Sequence, residues 1–287
     1  MLAAGGAALI SFDGLLIRLQ ALTPSGIVFW RGLFSGAAFT VFLAIGSWRA
    51  RNSRSGFGLG NPWPLLALIA LFGVGTGAWV LSLTHTTVAH TLVIVACSPI
   101  LTALLGSLLL REQLPRRTWF AGLAVLVGVI IVFSSSLGAV GMQGDLWALV
   151  NTAVFALVLI CLRKFQDVNT LLALSLSGIL IAAFVSPWGA AIPDSRSLLA
   201  AATDGLIVVP GGLILITLAP RYLPAAEVSL LLLTETILAP LWVLLALGEG
   251  LTAQVVISGL VIIGAISVHS GIELKDRQAP STRLGGS

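Results

Sequence analysis

The chain has 287 residues, 57% of them hydrophobic and 9% charged, with a mean hydropathy of +1.07. A soluble domain carries roughly 25% charged residues, so this composition excludes a water-covered globule and makes lipid the solvent. The formal charge of +4 and the two cysteines, Cys97 and Cys161, both inside apolar stretches, supply neither a nucleic-acid surface nor a disulfide framework.

Crossing a hydrocarbon core of about 30 Å takes ~20 apolar residues. Ten stretches approach that length: 2–21, 26–46, 63–84, 88–110, 117–135, 144–163, 170–186, 198–219, 226–247 and 252–272, the seventh being the shortest. The first begins almost at Met1, has no basic residues ahead of it and is too long for a signal-peptide core. It is expected to be a true first helix whose natural leader is absent or trimmed. The segment 275–287 is expected to be a disordered cytoplasmic tail.

Charge orients the stretches. With a cytoplasmic N-terminus, the inner loops hold Arg49, Arg51, Arg54, Arg111, Arg116, Arg117, Arg163, Lys164, Arg221, Lys275, Arg277 and Arg283. The outer side holds Arg18 and Arg196, and Arg31 lies within a stretch. Such a bias places both termini inside.

A second regularity divides the chain. Displaced by 137 positions, Ala89 falls on Ala226, Leu101 on Leu238, Leu108 on Leu245, Glu112 on Glu249 and Gly122 on Gly259. Five stretches per half is an odd number, so the second half must enter the membrane from the opposite side. The predicted architecture is an all-α polytopic membrane protein of ten transmembrane helices. These form two inverted five-helix repeats, 1–137 and 138–274, around a central cavity.

The motifs Phe29-Trp30-Arg31-Gly32, Ser98-Pro99 to Glu112-Gln113-Leu114, the Gly122 to Gly128 pattern and Glu249-Gly250-Leu251 give the chain its family resemblance. It resembles the drug/metabolite transporter superfamily, in its ten-helix EamA branch. The resemblance covers all ten stretches and implies a basket with a cavity between the repeats, helices 5 and 10 lying at the periphery. Within the branch it points first to YddG-like exporters of neutral or aromatic amino acids. The apolar, small run Ile94-Val95-Ala96-Cys97 departs from the aromatic-rich stretch of some of those proteins. The resemblance further implies a bacterial inner membrane, a small-molecule substrate, a lipid bilayer as partner, no nucleic acid, no cofactor and no metal, and a monomer.

Ionisable groups inside a membrane are costly enough to need a reason. Asp13 and Arg31 lie at similar depth on adjacent antiparallel stretches. They read either as a structural ion pair or as a coupling site, with Asp13 carrying a proton or Arg31 receiving a carboxylate. Glu235, near mid-membrane between Thr234 and Thr236, is a candidate for binding a substrate ammonium or coupling to protons; Pro240 frees a backbone carbonyl after it. His90 and Glu227 are equivalent under the repeat and read as cavity-rim or helix-start groups. Trp79 with Ser82, and Trp147 with Asn151, share helix faces and are candidate cavity walls. His269 reads as a satisfied buried histidine. Pro210-Gly211-Gly212 reads as a hinge or a close-packing site, and Gly32/Gly36 and Gly73/Gly77 as close-approach motifs. Glu112 and Glu249 are expected to cap or pair with the helices that follow them. Trp30, Trp48, Trp63, Trp119 and Trp188 fit an interfacial belt.

These groups support a secondary transporter working by alternating access, with a drug or another metabolite as the alternative cargo. No Walker A motif supplies ATP drive. An intramembrane enzyme has little support: Leu174-Ser175-Leu176-Ser177-Gly178 lacks the leading Gly of a G-x-S-G nucleophile, and H-E-x-x-H is missing. A receptor or scaffold would have no need of two inverted halves.

Overall fold

The computed structural model describes residues 2–51, 62–110, 116–136, 141–165, 167–218, 225–250 and 252–278. Its regular structure is helical, without strands among these residues. The elements are α1 (Leu2–Ile10), α2 (Asp13–Leu19), α3 (Pro24–Arg51), α4 (Pro62–His85), α5 (Val88–Val95), α6 (Ser98–Leu110) and α7 (Arg116–Ser136). They continue with α8 (Met142–Lys164), α9 (Thr170–Gly189), α10 (Ser195–Thr203), a π-helical turn at Asp204–Val208, α11 (Val209–Leu218), α12 (Ala225–Leu247) and α13 (Ala253–Gln278). By length and composition, six segments among the described residues can cross a membrane: Pro24–Gly46, Pro62–His85, Val88–Leu109, Met142–Lys164, Thr170–Gly189 and Ser195–Ile216.

Local chemistry sets the boundaries. The Thr87 side chain accepts from His90 N at the start of α5, and Asn169 accepts from Leu172 N at the start of α9, as N-caps do. Gly248, at φ 68°, supplies the left-handed turn that ends α12. Prolines explain the interruptions differently. Pro99 cannot donate to the Val95 carbonyl, and the fourth stretch breaks there into α5 and α6. In α9, Pro187 leaves the Ala183 carbonyl free, and the Ser186 hydroxyl donates to it at 2.9 Å. The helix therefore runs on to Gly189, past the expected end at 186. The π turn stands directly before Pro210, where the α ladder is one donor short. Around Pro240, α12 stays continuous. The first stretch breaks at Ser11–Phe12 without any proline or glycine.

The helices pair in a regular scheme. α3 packs on α9, α4 on α8 and α9, α7 on α13, and α1 on α11 and α12; α5 and α6 pack on α8, and the π turn lies against α3. The α3–α9 contact is a backbone one. A Cβ on Gly32 would sit 2.8 Å from the Gly178 carbonyl oxygen, and one on Gly36 2.9 Å from Ile179 N. Gly73 and Gly77 differ from expectation: among the described residues nothing would come within 4 Å of a Cβ at either position. Pro210-Gly211-Gly212 is a packing step, since a Cβ on Gly212 would lie 3.0 Å from the Ile10 Cβ.

Large apolar side chains stand exposed in rows, as on α7 at Phe120, Leu123, Val127 and Ile130. In water such rows would be costly; in lipid they are the solvated face. Trp63, Trp119 and Trp188 are also exposed, near helix ends. At the C-terminus, α13 extends to Gln278, which corrects the expected tail for residues 275–278. The turn at Glu112, the side chains of Trp48, Glu227, Thr234 and His269, and residues 279–287 lie outside the described part.

Candidate functional site

The break in the first stretch builds the site. At Ser11–Phe12 the chain leaves the helix, and Trp242 of α12 holds the gap. Its Nε1 donates to Ser11 Oγ at 2.9 Å, and its ring stacks on Phe12 with centroids 4.9 Å apart and planes 13° apart. Asp13 follows immediately as the first residue of α2 and is buried.

Arg31 of α3 meets Asp13 with two nitrogens. Nη1 donates to Oδ1 and Nη2 to Oδ2 at 2.9 Å, a fork-to-carboxylate geometry. Trp79 Nε1 of α4 adds a bond to Asp13 Oδ2 at 2.8 Å. The remaining partner is one the sequence reading missed: Asp204, first residue of the π turn, accepts from the same Arg31 Nη1 at 2.5 Å. Gly205 makes this reach geometrically possible, since a Cβ there would sit 2.6 Å from the Phe34 Cβ of α3. Glu235 of α12 is half-buried and lies within the electrostatic field of Asp13. Asp13, Arg31, Asp204 and Trp79 thus form one interior cluster, with Glu235 nearby. Asp204 had a signal, an acid inside the apolar run 198–219, the same criterion that singled out Asp13.

The other candidates separate from this cluster. Ser82 is fully buried, and its hydroxyl pairs with Thr91 Oγ1 at 2.7 Å, tying α4 to α5. His90 Nδ1 lies 3.3 Å from Asp145 Oδ1 and 3.4 Å from Oδ2, a buried contact between α5 and α8. Trp147 is exposed on α8. Asn151, one turn on, is half-buried beside Gly75 of α4.

A second charged assembly links α2, the α4–α5 turn and the end of α12. Arg18 Nη2 donates to the Thr86 carbonyl at 2.6 Å and reaches Glu249 Oε1 at 3.4 Å; Glu249 Oε1 accepts from Val88 N at 3.2 Å. Glu249 therefore joins α2 and the start of α5, not the helix that follows it. The adjacent recess, lined by Val88, Ala89, Pro240, Val243, Glu249 and Gly250, is too tight for a water molecule.

No curated protein matches the chain. A solved crystal structure shares its fold, with a TM-score of 0.68 and 18% sequence identity over 94% of this chain and 96% of that one. The helices describe a multi-pass membrane protein. Its residues 1–134 match the model of the EamA-like transporter family, which points to a membrane transporter of small molecules.

Proposed function

We propose that the chain is a secondary transporter in which two inverted five-helix halves, 1–137 and 138–274, move a small organic solute by alternating access. The observation that carries this reading is the symmetry of the helix pairing. Numbered by apolar stretch, the third packs on the sixth and seventh, and the eighth packs on the first and second. The fourth packs on the sixth as the ninth does on the first, while the second–seventh and fifth–tenth pairs map onto themselves. Exchanging each stretch for the one five places away carries each of these pairs onto another of them or onto itself, as expected of an inverted repeat.

The solute site lies in the central cavity between the halves, beside the buried cluster. Glu235 takes a cationic group and Trp79 presents an aromatic wall, with Asn151, Trp147 and His90 further along. Both aspartates occupy Arg31, so a solute carboxylate is met elsewhere. An acid-rich interior beside an indole favours amine-bearing solutes, with neutral and aromatic amino acids as the first class. The Arg18–Glu249 assembly supports a state closed on the external side, given cytoplasmic termini. The chain works as an exporter in a bacterial inner membrane, as a monomer.

Counterflow in proteoliposomes tests this. Vesicles loaded with unlabelled amino acids should accumulate labelled threonine, methionine or phenylalanine. The signal should be lost in Glu235→Gln or Trp79→Ala protein that still folds. No accumulation of any amino acid removes that substrate class and leaves a drug or another metabolite as cargo.

A further inference from the structure

The buried cluster contains more acid than its cation can neutralise. Arg31 Nη1 has two hydrogens, one for each aspartate, and Nη2 adds a second bond to Asp13. With Trp79 also donating, Asp13 is fully satisfied as a carboxylate and balances Arg31. Asp204 remains as surplus. It is 0% exposed and holds one bond through Oδ2, while its Oδ1 is buried with no hydrogen-bond partner among the described residues. A carboxylate oxygen shut off from both water and donors is the arrangement that protonation relieves.

Among the described residues, the surroundings offer no other counter-charge. α3 presents Arg31 and α2 presents Asp13; α11 has no titratable residue, and Arg196 of α10 is exposed at that helix's outer end. Arg18 of α2 is turned toward Thr86 and Glu249. Glu235 of α12 adds a further acid within the electrostatic reach of Asp13. The location matters as much as the charge. Asp204 opens a π turn, a form that concentrates at functional sites, and Asp13 follows the break at Ser11–Phe12. Both acids stand where the helical ladder is already interrupted, one in each half of the chain.

We propose that Asp204 binds an exchangeable proton at the joint between the two halves. Loading is a simple transfer: an O–H bond of hydronium breaks as the Asp204 O–H forms, and release to water reverses it. The ionised state places a surplus negative charge in the joint, and the protonated state removes it. The proposal is independent of which solute is carried.

Infrared spectroscopy of the purified full chain, titrated with pH, tests it without any substrate. The wild-type protein should show the C=O stretch of a buried carboxylic acid that disappears on alkalinisation. Asp204→Asn should lose that band and Glu235→Gln should keep it. Wild-type protein carrying ¹³C-labelled aspartate should show the band shifted to lower wavenumber, a readout that stands even if the variant fails to fold. A band unmoved by aspartate labelling, or one retained in folded Asp204→Asn, overturns the proposal. So does the absence of any titrating carboxylic-acid band in the wild type.

Discussion

Among the described residues, two buried polar contacts link early and late parts of the sequence, and they are built on opposite plans. Around Arg31, a permanent cation faces two acids over short bonds, and the backbone nearby is broken twice, at Ser11–Phe12 and at the π turn. At His90–Asp145, one imidazole faces one acid at 3.3–3.4 Å between intact helices. There the backbone is locked, because a Cβ on Gly144 would sit 2.5 Å from Thr86 N. The start of α8 is seated on the turn between α4 and α5, and the His90–Asp145 contact follows from that seating. The first contact stands beside interrupted backbone, the second where helix starts are seated tightly on one another.

Removing the cation breaks the first plan most severely. Arg31→Met leaves two buried acids facing each other, and breaking a buried ion pair costs about 3–5 kcal/mol. The expected result is little folded protein in detergent, read by size-exclusion chromatography and thermal unfolding. Arg31→Lys should recover part of the loss, since an ammonium keeps the charge but not the planar fork that serves both carboxylates.

The second plan predicts that backbone matters more than charge. Gly144→Ala forces α8 off the α4–α5 turn, and overpacking of this kind costs roughly 1–3 kcal/mol. His90→Gln, which keeps a polar partner for Asp145, should cost less in the same thermal assay. If His90→Gln proved the more damaging of the two, the pair would be holding the joint and the contrast with Arg31 would collapse.

A third, wetter contact sharpens the comparison. In the Arg18–Glu249 pair the two side chains are 26% and 23% exposed, and pairs of that kind contribute about 0–1 kcal/mol. Glu249→Gln should barely shift the melting temperature. It should nevertheless raise thiol labelling of a cysteine placed at Val88, because Glu249 also holds the start of α5 and seals the adjacent recess. Unchanged labelling would mean that packing alone closes this end.

How much of this was legible depended on the range of the interactions. Each of the ten apolar stretches contains helix, because hydropathy is a local property that the bilayer enforces. The Asp13–Arg31 contact followed from two adjacent antiparallel stretches and a short turn. Asp204 did not, since it meets Arg31 across 173 positions and only because Gly205 allows the π turn against α3. Glu249 was assigned to its own turn, whereas its partners, Arg18 and Val88, lie 231 and 161 positions away. The break at Ser11–Phe12 carries no proline or glycine, and what holds it open is Trp242 of α12. Spacing motifs were ambiguous for the same reason: Gly32/Gly36 meets Gly178, while the equally spaced Gly73/Gly77 meets nothing among the described residues.

The smallest effect concerns the anchoring of α10, the helix that leads into the π turn. Asp194 is its N-cap, accepting from Arg196 N at 3.1 Å and Ser197 N at 3.3 Å. Hydrogen bonds from Ser197, side chain first and then backbone, hold the Asp194 carboxyl below its usual range. Ser197 Oγ in turn accepts from Ala21 N at 3.1 Å, which ties this end to the close of α2. A depressed folded-state value means the cap's charge contribution is fully present above the unfolded carboxylate's range and is lost as pH falls through the folded value. Asp194→Asn keeps the acceptor but not the charge. At neutral pH the wild type should therefore protect the Arg196 and Ser197 amides from hydrogen exchange slightly better than the variant does. The difference should close as the solution is acidified. A gap that persisted below the folded value would assign the cap's strength to geometry instead of charge, leaving the position of Asp204 insensitive to this end of the helix.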